Sequence, residues 1–455
     1  MPANGGAGAG ASSVGGRGGT LPPDAGSSGG AGAAGAWGGA GGVGGSGGVQ
    51  AGGQPGAGCP SHQVSCAGVC VDPLTDEVHC GATPGCGIAG GSPGIRCSSD
   101  QTCGSPSPLT FQTTSVGGLQ APGWLLLRDL NHDGKLDVVV TQNDGQVVSV
   151  LSGAGDGTFA APKNTRVGVH PFPLAMADFN GDGELDAAAV NYTDLTVTVL
   201  LGKAGGALSF GATYHVDKSP SSIAVGDVNS DGVPDLAVGN LGSANISVLL
   251  GRGDGSFQDA DQIAVDFFPV STALADINGD RKLDLVVVTQ GATFDGAVSV
   301  LLGDGAGEFA APSSLPAGRE PYAVAVADVN RDGRLDLVVS GSPASVDVFI
   351  QNPDGTFTDS PTSQPDLEPA FMVVADVDGD GHGDIVTANQ DGNDVSVLFG
   401  AVDGTFQFAG NIPVGQEPSS VAVGDVNGDG RPDLVVANYA SNNLSVLLGL
   451  GPVCQ

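Results

Sequence analysis

Seven times in this 455-residue chain the same nine-residue stretch returns: Asp, any residue, Asn or Asp, any residue, Asp, usually Gly, two further residues, then Asp. The copies begin at Asp129, Asp178, Asp227, Asp276, Asp328, Asp376 and Asp425, with steps of 49, 49, 49, 52, 48 and 49 residues. So regular a period confines the chain to a repeat architecture, because one such unit buries its apolar residues only against its neighbours.

Each acidic stretch follows an apolar segment such as SSIAVGDV and precedes two more, such as DLAVGN and ISVLLG, before a Gly-rich turn and a Phe. That pattern gives four short strands per repeat bounded by turn residues, and no segment has the period of a long amphipathic helix. Seven such units fit an all-β, seven-bladed β-propeller, whose four-stranded sheets stand radially around a channel. A proline recurs seven residues before each loop, at Pro122, Pro171, Pro220, Pro269, Pro321, Pro369 and Pro418. It marks the link between blades, where no backbone donor is needed. The seventh repeat stops after its third strand, NLSVLLG, while a spare fourth-strand sequence around Phe111 precedes the first loop. Residues near 109 to 116 are therefore expected to complete the last blade and close the ring.

Alternate-residue spacing lets three side-chain oxygens converge when the backbone curls, and a hard cation such as calcium takes six to eight oxygen ligands. The expected ligands are side chains at positions 1, 3, 5 and 9 and the carbonyl at position 7. They are Asp129, Asn131, Asp133 and Asp137 with Lys135; Asp178, Asn180, Asp182 and Asp186 with Glu184; Asp227, Asn229, Asp231 and Asp235 with Val233; and Asp276, Asn278, Asp280 and Asp284 with Lys282. The remaining sets are Asp328, Asn330, Asp332 and Asp336 with Arg334; Asp376, Asp378, Asp380 and Asp384 with His382; and Asp425, Asn427, Asp429 and Asp433 with Arg431. Gly at position 6 permits a sharp bend; only the fourth copy departs, with Arg281. The sixth copy is the most acidic, and the His382 ring reads as a bystander. A single copy reads equally well as a polar turn; seven in phase favour calcium, up to seven ions with a structural role.

The net charge of -34 argues against a nucleic-acid partner. Of the 49 acidic residues, 22 are loop aspartates, three in each of six loops and four in the sixth copy. No run of 18 apolar residues exists to form a transmembrane helix. Seven of the eight cysteines lie between Cys59 and Cys103, with Cys454 near the end. Their even number and clustering favour disulfides and an extracellular or cell-surface location; zinc is the rival, without paired CxxC spacing. The opening residues show no signal peptide, so the true start is expected upstream. Residues 1–58, almost wholly Gly, Ala and Ser, read as a disordered tether; 59–106 as a cysteine-rich disulfide module; and 107–455 as the propeller. Closure of the ring would bring Cys103 and Cys454 together, and a disulfide between them would staple it.

The stretch CAGVCVDPLTDEVHCG resembles stigma-specific-protein-like cysteine modules, departing after Gly81, where a single Cys86 replaces a closely spaced CGxCGxxC. Repeats such as PSSVAVGDVNGDGRPDLVVANYASNNLSVLLG resemble FG-GAP-like or VCBS repeats, related to the propeller head of integrin alpha chains. That resemblance implies a calcium-stabilised seven-bladed propeller on secreted or surface proteins, often serving adhesion or ligand binding.

The face opposite the acidic loops is the expected ligand surface. It would display His170, Phe268, Glu320, Glu368 and Glu417 beside the prolines, with Trp124, Phe172, Tyr322 and Phe371 nearby, and amides Gln142, Asn191, Asn240, Asn389 and Asn438 on the strand 2 to 3 turns. Such residues suit a peptide or a sugar, and equally serve as turn caps and blade filling. A monomeric adhesion or ligand-binding module is the first reading; a lectin-like propeller and a lyase or dehydratase-like enzyme are the alternatives. Catalytic signals are poor: His132, His170, His215 and His382 share no motif, and no GxSxG elbow is present. Arg252, Gly253 and Asp254 occupy the strand 3 to 4 turn that every repeat rebuilds.

Overall fold

The computed structural model describes residues 64–66, 69–71, 111–291, 295–342, 345–360 and 369–449. Val64–Cys66 pairs antiparallel with Val69–Val71, the described part of the cysteine-rich segment. From residue 111 onward the described chain forms seven four-stranded antiparallel sheets. Six take their strands in sequence order, beginning with Pro122–Arg128, Asp137–Gln142, Val147–Leu151 and Lys163–Arg166. The seventh, Pro418–Gly424, Asp433–Asn438 and Asn443–Gly449, takes its outer strand from Phe111–Val116. Phe111 lies opposite Gly449 and Val116 opposite Leu444, so the expected closure of the ring is what forms.

First strands of successive blades touch all the way round, with Pro418–Gly424 against Pro122–Arg128 completing the circle. The second strands are buried on both faces between neighbouring blades, which is why DVVVTQ, DAAAVN and DLVVAN are near-continuously small and apolar instead of alternating. Outer strands such as Lys163–Arg166 and Asp261–Ala264 are mostly exposed and polar, which suits an unpaired edge.

Each first strand carries one extra residue against its partner immediately after the landmark proline. Proline lacks the N–H that a regular ladder would use, and a bulge absorbs the missing rung. The preceding residue is held at positive φ in Ala121, His170, Ser219, Glu320 and Glu417. Its carbonyl accepts the first N–H of its own blade's strand 2 to 3 turn, from Asn143, Tyr192, Leu241, Ser342 and Tyr439 in turn. These positions are thus backbone fasteners between the link and the turn.

Candidate functional site

The seven acidic loops join first to second strands on one face; six of them share one hydrogen-bond pattern, while in the loop that begins at Asp376 the first carboxylate accepts from Gly379 at 2.7 Å. In six of them the first carboxylate receives the N–H groups of positions 5 and 6. Asp129 accepts from Asp133 and Gly134 at 3.2 and 2.8 Å, Asp178 from Asp182 and Gly183 at 3.2 and 2.8 Å, and Asp227 from Asp231 and Gly232 at 3.1 and 2.8 Å. The same pair of bonds recurs at Asp328 and Asp425. In the fourth loop Asp276 accepts from Asp280 and Arg281 at 3.0 and 2.7 Å. Arg281 sits at φ 70°, where other loops place glycine at 81–86°, so the fourth loop keeps its shape at a cost of about 1–3 kcal/mol in backbone strain. Position 3 supplies an amide oxygen to the N–H of position 5, as Asn131, Asn180, Asn229, Asn278, Asn330 and Asn427 do. The position 5 carboxylate then receives the N–H of position 7, for example Lys135, Glu184, Val233, Lys282, Arg334, His382 and Arg431.

The ninth-position aspartate does more than its place in the motif implies. Asp137, Asp186, Asp235, Asp284, Asp336, Asp384 and Asp433 are fully buried. One oxygen of each accepts the N–H of position 2, and the other accepts an N–H at the end of the third strand. Asp186 receives Phe179 at 2.9 Å and Gly202 at 2.6 Å; Asp433 receives Val426 at 2.9 Å and Gly449 at 2.8 Å. The third-strand donor is a glycine in every blade except the fifth, where it is Gln351. A Cβ there would press on a carbonyl, at 2.2 Å from Leu136 for Gly153 and 2.1 Å from Leu283 for Gly303. That in-phase glycine was the sequence signal for this staple. Burial pushes all seven carboxyls above their usual range, the neighbouring aspartates adding to it. Asp235 rises to about 6 and Asp384, in the most acidic loop, to about 8.

The donor set fits a hard divalent cation: oxygen only, with several carboxylates in one curl. In the sixth loop one oxygen each from Asp376, Asp378 and Asp384 lies within 4.8 Å of the others. The loops are also tied to each other. Val426, Phe179 and Val228, at position 2, accept N–H groups of Gly157, Gly255 and Gly307 from the strand 3 to 4 turn of the next blade. His132 of the first loop lies 3.4 Å from Glu184 of the second.

On the opposite face the sequence candidates separate. Phe268 is exposed beside Phe267, at 42% and 48%. His170 is exposed, its Nδ1 2.8 Å from Thr193 Oγ1, while Glu320, Tyr322 and Glu417 are half-buried. Glu368, Cys103 and Cys454 lie outside the described residues. Trp124 and Phe371 are corrected: at 2% and 7% exposure they offer no face to solvent. Their rings meet edge-on at 4.8 Å, and Phe172 joins Trp124 at 6.2 Å. Since blade 7 separates their strands in the ring, this contact joins blades 1 and 6 directly.

The turn amides are spent internally as well. Asn191 accepts from Gly168 at 2.9 Å and donates to Thr196 and Thr198. Asn438 repeats this with Gly415, Asn443 and Ser445. Gln142, Asn240 and Asn389 are likewise buried and bonded to nearby serines. Asp254 of the Arg-Gly-Asp tripeptide accepts from the Ser256 backbone and hydroxyl, as Asp156 does from Thr158 in the first blade.

The architecture is similar to that of BBS1N in its complex with ARL6DN, with a TM-score of 0.53, 13% identity, and coverage of 75% of this chain and 96% of that one. Virginiamycin B lyase from Staphylococcus aureus gives 0.51 at 13% identity, covering 74% and 99%. An Agrocybe aegerita lectin recognising non-reducing terminal N-acetylglucosamine gives 0.47 at 21%, covering 73% and 86%. At such identities these likenesses concern the fold alone. No curated protein matches the chain in sequence. The FG-GAP-like repeat model matches six times, at 129–189, 178–238, 227–287, 276–339, 332–387 and 376–436. Matches that run so continuously through the acidic loops and their flanking strands make this chain a member of the FG-GAP-like repeat family.

Proposed function

We propose that the protein is a calcium-loaded, extracellular or cell-surface ligand-binding propeller that presents the face opposite its acidic loops to a protein or glycan partner. The observation that carries the calcium assignment is the curl shared by six of the loops, in which backbone N–H groups hold the side-chain oxygens of positions 1, 3 and 5, together with the three converging carboxylates of the sixth; in the fifth loop the Arg334 guanidinium pairs with Asp332 and must swing away for an ion to bind. Calcium would be held by positions 1, 3, 5 and 9 and the position 7 carbonyl, supplying charge compensation and rigidity, not chemistry. The partner face rests on Phe267, Phe268, His170 and Glu417, the exposed or half-buried residues beside the blade links. The BBS1N propeller's complex with ARL6DN is a precedent for a protein partner on this fold.

The deciding experiment is thermal unfolding of the full chain in calcium and in excess chelator, with bound calcium counted by equilibrium dialysis. Several ions per chain and a midpoint raised by calcium are expected, since a ligand that binds only the folded state adds about 2.7 kcal/mol at a hundredfold excess over Kd. No bound calcium at millimolar concentration would overturn the assignment.

A further inference from the structure

We propose that the outer shoulder between blades 1 and 2 is a binding site for a neutral oligosaccharide, separate from the acidic loops. The site is a groove of about 640 Å³ between the outer strand of blade 1, Lys163–Arg166, and the third and fourth strands of blade 2, Thr196–Lys203 and Ala207–His215. Its size lies within the range of small-molecule sites.

Phe210 is the first observation. It is 62% exposed on the outermost strand of blade 2, where Leu200 pairs with it just past a register shift. A bulge re-aims a side chain, and here it coincides with a large aromatic ring turned into the groove. A ring 62% exposed on an edge strand invites aggregation. An exposed aromatic face of this kind stacks on the C–H face of a pyranose.

Polar groups line the same groove as the phenyl. Thr165 Oγ1 donates to the Leu208 carbonyl at 2.9 Å, which keeps its lone pairs for a ligand donor. Thr213 contributes a hydroxyl 3.4 Å from that of Thr198, while Thr196 and Thr198 are buried and held by Asn191 at 3.0 and 2.8 Å, forming the floor and not the contact surface. Asp194 spends one carboxylate oxygen on the Val169 N–H at 2.8 Å, and Arg166 lines the same groove. Hydroxyls with one cation and one anion give paired donors and acceptors without net local charge. That balance favours an uncharged polyol, and the chain's net charge of -34 disfavours uronates and sulfated sugars.

A second groove of about 470 Å³ lies on the other side of the same strand, where Tyr214, Asp217, Asp259 and Gln262 contribute. Thr213 and His215 line both. Two grooves sharing one wall fit a linear chain of several sugar units lying across the edge of blade 2 better than a single sugar.

The test is a glycan array probed with the full calcium-loaded chain, followed by titration calorimetry with the best neutral oligosaccharide. Phe210→Ala, at an exposed position, is expected to leave the melting temperature within about 1–2 °C and to weaken binding at least tenfold. Asp194→Asn is expected to weaken it several-fold, and Phe408→Ala, at the corresponding bulge of blade 6, to leave it unchanged. The proposal is overturned if no neutral glycan binds, if only acidic glycans or peptides bind, or if Phe210→Ala binds as the parent does. A failed calcium assignment would leave these outcomes readable, because no acidic-loop residue lines either groove.

Discussion

Replacing Asp186 by alanine isolates the ninth-position staple from any role in metal binding. In the parent its carboxylate accepts two buried N–H groups, from Phe179 at 2.9 Å and Gly202 at 2.6 Å. Bonds to a charged acceptor are worth about 1.5–3 kcal/mol each, and removing the acceptor leaves both donors buried without a partner. Against this, burial holds the carboxyl above its usual range, so the substitution also relieves a desolvation cost. The net loss expected is about 2–4 kcal/mol. Phe179 stacks edge-on with Phe257 at 5.2 Å, and its carbonyl holds Gly255 of the next blade, so the loosening spreads to the joint between blades 2 and 3. The assay is guanidinium unfolding of the full chain at pH 7 in excess chelator, with hydrogen exchange read at the Phe179 and Gly202 amides. Asp186→Asn, which keeps one acceptor, should fall between parent and alanine. A loss below about 1 kcal/mol in chelator, or unchanged protection of the two amides, would refute the staple.

Trp124→Ala should cost about 3–5 kcal/mol through the cavity left against Phe172 and Phe371, seen as a lower melting temperature. Deleting Phe111–Val116 exposes the edge of Asn443–Gly449; the expected result is a lower midpoint and concentration-dependent association by light scattering, and a monomer of unchanged midpoint would contradict it. Asp347 has its carboxyl pushed up by burial first and by Asp359 second. The folded state therefore disfavours its ionised form. Asp347→Asn should melt higher than the parent at pH 7, and the advantage should vanish as the pH falls below the ordinary carboxylate pKa of about 3.9.

Much of the fold could be read from the chain because its signals repeat: Pro122 and its six counterparts fall where the blades begin, and Phe111 marks the strand that closes the ring. The loops were equally open to reading, down to Arg281, whose positive φ lets it take the place of glycine. Less legible was which residues of the face opposite the loops stay outside. Trp124 and Phe371 sit on first strands packed on both sides, where no polar alternation separates core from surface. The amides of Asn191 and Asn438 look like ligand groups in sequence, and only their neighbours in space show them to be spent. The outer groove went unread because it depends on a one-residue bulge opposite Leu200, which no change of alternation marks in the sequence.

The way the ring is sewn shut also fixes how it responds to tension. Phe111, where the chain enters the propeller, lies directly opposite Gly449, where it leaves. A pull between the two ends therefore acts on the last rung of an antiparallel pair and opens it one rung at a time, like a zipper. Shear, by contrast, would load all six rungs from Phe111↔Gly449 to Val116↔Leu444 at once. If the protein bears load through both termini, blade 7 is where it yields, at low force, while the six blades sewn from continuous hairpins stay intact.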